Sequence, residues 1–179
     1  MSTAPTILKY GLVAGVIVGT SLLAVSLAYD GQPPPTWGMA AGFASMLLAL
    51  SAVFVGVKRH RDRAGGGVIR FWPAFGLGLG ISLVASLVYV AAWELSLALI
   101  DADFAQVFAQ QMVARAEAKG LSGEALAAAV RQAGEFERMY RNPLYRMPMT
   151  FVEIFPVGVL VSLVSAAILR NPRVLPARG

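Results

Sequence analysis

The chain has 179 residues, 57% hydrophobic and 14% charged, against about 25% charged in soluble domains. With a mean hydropathy of +0.65, this excludes an ordinary soluble globular protein. The net charge is +5, but the bases flank apolar runs rather than interleaving with aromatics on a polar surface, which argues against nucleic acid as a partner.

Cysteine is absent and His60 is the single histidine. Disulfides and thiolate chemistry are therefore excluded, a histidine metal cluster is disfavoured, and no metal or cofactor is expected. A single membrane domain over 1–179 is the expected organisation.

The first span runs over Ile7–Tyr29. A signal peptide is the rival reading, because Ser26-Leu27-Ala28 has the small-x-small form of a cleavage site. The apolar run is longer than a signal's 7–15 residues, which favours a retained helix. Gly11, Gly15 and Gly19 form a stripe through which a second copy or a membrane partner could approach closely. The turn Asp30–Thr36, with three prolines, cannot continue the helix. The second span covers about 37–57, with Trp37 placed as an interfacial aromatic.

Val57–Phe75 is read as a basic turn. Lys58, Arg59, Arg61, Arg63 and Arg70 surround Gly65-Gly66-Gly67, and these bases are expected to contact anionic lipid headgroups. No Gly-Lys-Ser/Thr follows the glycines, so a Walker phosphate cradle is excluded. The third span, about 68–100, is longer than a hydrocarbon core of about 30 Å requires.

Residues 101–145 change character. Charges mix with alanines, six acids against six bases through Arg146; the six bases weigh less in the loop-charge rule because the loop is longer. Phe104, Val107, Phe108 and Met112 recur at helical spacing behind Asp103, a candidate N-cap. Lys119-Gly120 marks a stop, Ser122 a second start with Leu121 and Leu126 spaced as a staple, and Asn142-Pro143 an end. These signals predict an amphipathic helical hairpin on the outer face. The fourth span, about 146–169, closes with Arg170, Arg173 and Arg178. The fold class is therefore all-α: an integral membrane four-helix bundle with an amphipathic hairpin between its third and fourth spans. The basic turn and tail orient both termini toward the cytoplasm.

Two carboxylates lie in or beside apolar helices, where acids are costly and usually face the bundle interior or water. Glu94 is about 36 Å of helix from Arg70, and Glu153 about 25 Å from Arg170. Thr150 is one turn before Glu153. Pro156, three residues after it, leaves the Val152 carbonyl without its usual donor. Together with Tyr89, these groups are the candidate proton, cation or amine site. The plainer reading makes Glu94 interfacial and Glu153 a structural carboxylate bonded to Tyr89, Thr150 or Arg146. No HExxH or GxSxG motif is present, and no serine has an evident histidine partner, so no catalytic residue is assigned and an enzyme is not expected.

Four stretches carry a family resemblance: Lys9–Gly19, Val53–Gly78 with its glycine-bearing basic turn, Ser86–Glu94, and Met149–Arg170 with Glu-x-x-Pro-x-Gly from Glu153 through Pro156 to Gly158. In order and spacing the chain resembles the bacterial membrane proteins catalogued as domain of unknown function 4199. The resemblance implies four helices in a bacterial inner membrane and no established activity. Four spans with small-residue stripes and no catalytic constellation make a non-enzymatic interaction or assembly component the first functional expectation. A small transporter or channel subunit using the carboxylates is an alternative. A third is a binder of lipid or a small amphiphile between bundle and hairpin.

Overall fold

The computed structural model describes residues 2–29, 32 and 36–176, omitting the side chains of Thr36, Trp37 and Met39. The expected Asp30–Thr36 turn lies mostly outside the described residues, as do the Trp37 side chain and Arg178. Among the described residues six helices follow in order: α1 (Ala4–Ala28), α2 (Thr36–Ala64), α3 (Phe71–Leu99), α4 (Phe104–Ala118), α5 (Gly123–Tyr140) and α6 (Pro143–Leu169). Four of them, α1, α2, α3 and α6, are long and apolar enough to cross a membrane. This is the integral membrane bundle with a helical hairpin, α4–α5, that composition and apolar run length lead one to expect.

The packing is organised on α3, which lies against α1 and α6 and also meets α2. Contact depends on small residues. A Cβ added at Gly11 would lie 2.5 Å from Val84 Cβ, one at Gly15 would lie 2.5 Å from Val88 Cβ, and one at Gly19 would lie 2.9 Å from Ala92 Cβ. The glycine stripe is thus filled by α3 of the same chain. Spacing reveals that a glycine face can be approached, and tertiary packing decides by whom.

On the opposite side, α3 and α6 interlock. Gly78 faces Ser162 and Gly158 faces Ser82. Ser82 Oγ donates to the Gly158 carbonyl at 3.1 Å and lies 3.1 Å from Ser162 Oγ. Ser82, Ser86, Ser96, Ser162 and Ser165 are buried, while Leu47, Leu48, Leu87, Leu160, Val164 and Trp72 are exposed. Small polar groups inside and large apolar ones outside suit a hydrocarbon surround, where association rests on packing and interhelical hydrogen bonds.

The basic turn is shorter than the sequence suggests. α2 continues through Lys58, Arg59, Arg61 and Arg63 to Ala64. Arginine and lysine are good helix formers and complement the negative helix end, and Lys58 pairs with Asp62 one turn on. Reversal needs only Gly65–Arg70. Gly66 and Gly67 adopt φ of +57° and +85°, a conformation that side-chain-bearing residues seldom occupy.

Arg61 is fully buried. Its Nε donates to Asp62 at 2.8 Å, Nη1 to the Val174 carbonyl at 3.0 Å, and Nη2 to the Leu175 carbonyl at 2.5 Å. A longer contact of 3.4 Å reaches the Leu169 carbonyl at the end of α6. The expectation that Arg61 contacts lipid headgroups is therefore corrected: the last carbonyls of α6 and its tail take up the guanidinium donors.

The hairpin ends are chemically specified. Asp103 caps α4 by accepting from the Gln106 N–H at 3.2 Å. Beyond α4, Gly120 has φ +78°; its N–H bonds to the Glu117 carbonyl and that of Leu121 to the Ala116 carbonyl. This paired closure is the Schellman arrangement. Ser122 precedes α5 but makes no side-chain cap bond. Asn142 caps α6 by accepting from the Leu144 N–H at 3.0 Å, and Pro143 occupies a position where its missing N–H costs nothing. The residues expected to end α5 thus also start α6.

Candidate functional site: an aromatic chamber under the helical hairpin

The end of the bundle away from the basic turn carries a cavity of about 350 Å³. Leu22 of α1 lines it, with Tyr89 and Trp93 of α3 and Met149, Thr150 and Glu153 of α6. The hairpin supplies the other wall: Phe104 and Phe108 from α4, Phe136 and Tyr140 from α5. Each hairpin pair is spaced by four residues, so the two rings of a pair share one helix face.

The rings form a connected shell. Trp93 meets Phe104 edge-on at 4.9 Å between centroids, Phe104 lies 5.4 Å from Tyr140, Phe108 lies 4.9 Å from Phe136, and Phe136 stacks on Tyr140 at 5.1 Å. Trp93 Nε1 donates to Tyr140 Oη at 2.7 Å, fixing the hairpin to α3. Burial pushes the Tyr140 phenol up to about 12, outweighing the acidifying effect of the Trp93 N–H that it accepts. Its hydroxyl therefore remains protonated at neutral pH.

Of the expected site residues, the structure brings Glu153, Tyr89 and Thr150 to this chamber. Glu153 is exposed on the chamber wall, not sealed inside the bundle. The Tyr89 hydroxyl stands in the same lining. Thr150 is buried, and its hydroxyl donates to the Arg146 carbonyl at 3.0 Å within α6. It shapes the wall and closes its own helical turn.

Glu94 is elsewhere. Its Oε1 and Oε2 accept from Nε and Nη2 of Arg146 at 2.7 and 2.5 Å, a two-pronged pair tying α3 to α6. With both oxygens held by Arg146, Glu94 is a cross-brace; it does not line the chamber with Glu153. Pro156 is exposed and outside the lining. Both Pro148 and Pro156 lie inside α6 without ending it.

The residues missing from the sequence-based set are mainly Trp93, Phe104, Phe108, Phe136 and Tyr140. Their signal was the pair of i,i+4 aromatic repeats, one on each arm of the hairpin. Among the described residues, no three His, Cys, Asp or Glu side chains come together as a metal site. The chamber can hold an apolar body, with one carboxylate and a few hydroxyls to orient it.

This fold, with its chamber between the span ends and a helical hairpin, defines an integral membrane helical-bundle protein. Residues 9–171 match the family described as protein of unknown function (DUF4199), nearly the whole chain, and the protein belongs to that family. Neither the curated proteins nor the solved structures contain a match to the chain.

Proposed function

We propose that the protein is a non-enzymatic membrane binding protein whose chamber takes a hydrophobic molecule bearing a cationic amine or ammonium group. One observation carries the reading: the chamber is walled by aromatic rings, and its lining contains one acid, Glu153, and no base. Aromatic faces attract organic cations, and desolvation strengthens the attraction. Glu153 supplies the counter-charge, with the Tyr89 hydroxyl in the same lining. The glycine stripe, which motivated a partner-assembly role, is occupied within the chain. An ion conduit through paired carboxylates loses support because Glu94 is held by Arg146.

The proposed setting is a bacterial inner membrane. The bases near the α2–α3 turn favour a cytoplasmic position for that end and an external one for the hairpin. Because the chain has no cysteine, Ser122→Cys should label with an impermeant maleimide in intact cells and Ala64→Cys should not. The opposite pattern would invert the topology.

Ligand binding is tested with tetraphenylphosphonium against tetraphenylborate, a body of similar shape and opposite charge, on purified protein in detergent. Saturable binding of the cation is expected, weakened at least tenfold by Glu153→Gln, about 1.4 kcal/mol, and also weakened by Phe136→Ala. Equal affinity for both ions, or for the unsubstituted protein and Glu153→Gln, would refute the reading.

A further inference from the structure

The opposite end of the bundle has its own cleft, of about 390 Å³, between the start of α1 and the end of α2. Lys9, Thr6 and Ser2 line one side; Arg59, His60 and Arg63 line the other. Arg59 and Arg63 are one turn apart on α2, so their guanidinium groups share a face. Lys9 brings a third fixed positive charge from a different helix, and the lining includes no Asp or Glu. Thr6 Oγ1 lies 3.5 Å from His60 Nδ1, linking the two walls.

What distinguishes these cations is how their neighbours are used. Asp62, the one acid on this part of α2, is engaged by Lys58 at 2.5 Å and by Arg61 at 2.8 Å. The α6 tail takes up the remaining Arg61 donors. Among the described residues, Lys9, Arg59 and Arg63 have no acidic partner. Three like charges gathered in one cleft repel one another, and an anion seated between them would relieve the repulsion. Arginine's planar fork matches phosphate oxygens two at a time, while lysine adds a point charge.

We propose that this cleft is a seat for a phosphate-bearing anion, held by Arg59, Arg63 and Lys9 with His60 and Thr6 at its wall. The source is a phospholipid headgroup or a soluble phosphomonoester, since both present the same oxygens. The seat is independent of the aromatic chamber, at the other end of the bundle. It also replaces the broad expectation of lipid contact along the basic turn: Arg61 is buried and Lys58 is paired, whereas Lys9, from the first helix, joins the set.

The test uses the full chain in phosphatidylcholine nanodiscs, titrated separately with dihexanoyl phosphatidic acid and with glycerol 3-phosphate, and followed by ³¹P NMR. Saturable binding of at least one probe is expected. Binding of the lipid alone assigns a headgroup seat, of the soluble probe alone a metabolite seat, and of both a seat for the phosphate group itself. Arg59→Gln/Arg63→Gln should weaken binding at least tenfold and Lys9→Gln at least threefold. Arg70→Gln, an exposed base at the same end outside the cleft, should change it less than twofold. Absence of saturable binding by either probe would overturn the proposal. Equal losses from Arg70→Gln and the double variant would reduce the effect to general surface charge and also overturn it.

Discussion

Arg61 and Arg146 each meet an acid at one end of the same bundle, yet they do different work. Arg61 has no exposed side-chain surface and spends its donors on Asp62 and on backbone carbonyls of the α6 tail. Arg146 keeps 18% of its side-chain surface exposed and gives a two-pronged bond to Glu94, itself 21% exposed. The first arginine is a buried clamp whose removal leaves the tail carbonyls it holds without their donor. The second is a brace beside the chamber, near enough to solvent for water to replace part of what is lost. Charge and helix-end position are similar; tertiary partners set the difference.

Substitutions can break or sharpen this contrast. Arg61→Ala should produce the largest loss, about 3–5 kcal/mol, because it empties a fully buried position and takes the donor from several carbonyls, at about 1–3 kcal/mol each. Mixed-micelle unfolding titrations would show it, and a cost no greater than that of Arg146→Ala would dissolve the distinction. Gly15→Leu comes next, at about 1–3 kcal/mol or more, since it forces a branch into Val88. An unchanged unfolding midpoint would mean that α1 and α3 are not packed as described.

The Glu94–Arg146 brace ranks third. A double-mutant cycle with Glu94→Gln and Arg146→Met should give a coupling of about 1–2 kcal/mol, between exposed and buried pairs. A coupling near zero would make the pair incidental. Asp103→Ala should have the smallest effect, about 1 kcal/mol, seen as faster hydrogen exchange at the start of α4. Exchange spread evenly through the spans would instead tie the hairpin to the bundle core.

The four spans and the hairpin were legible because lipid imposes a coarse requirement: about 20 apolar residues must run together. Glu153, Tyr89 and Thr150 were legible for a related reason, as polar groups where such groups are expensive. The aromatic wall was not, although Phe104 and Phe108 stood out as a helical repeat. Periodicity identifies a shared face and not the face opposite, and Phe136 and Tyr140 meet that repeat only after Gly120 reverses the chain. Likewise nothing local to Arg61 separates it from Arg59 or Arg63. Its partners Val174 and Leu175 lie 113 and 114 residues away.

That separation bears on the order in which the protein can be completed. At a synthesis rate of about 5–20 residues per second, α2 emerges on the order of 5–20 s before the tail carbonyls that receive Arg61. During that interval the guanidinium must rely on Asp62, water or lipid phosphate. The last turn of α2 therefore has a waiting period built into its biogenesis, and the arrival of the α6 tail ends it. A nascent chain stalled before Val174 should remain protease-sensitive at Arg61 even with all four spans inserted.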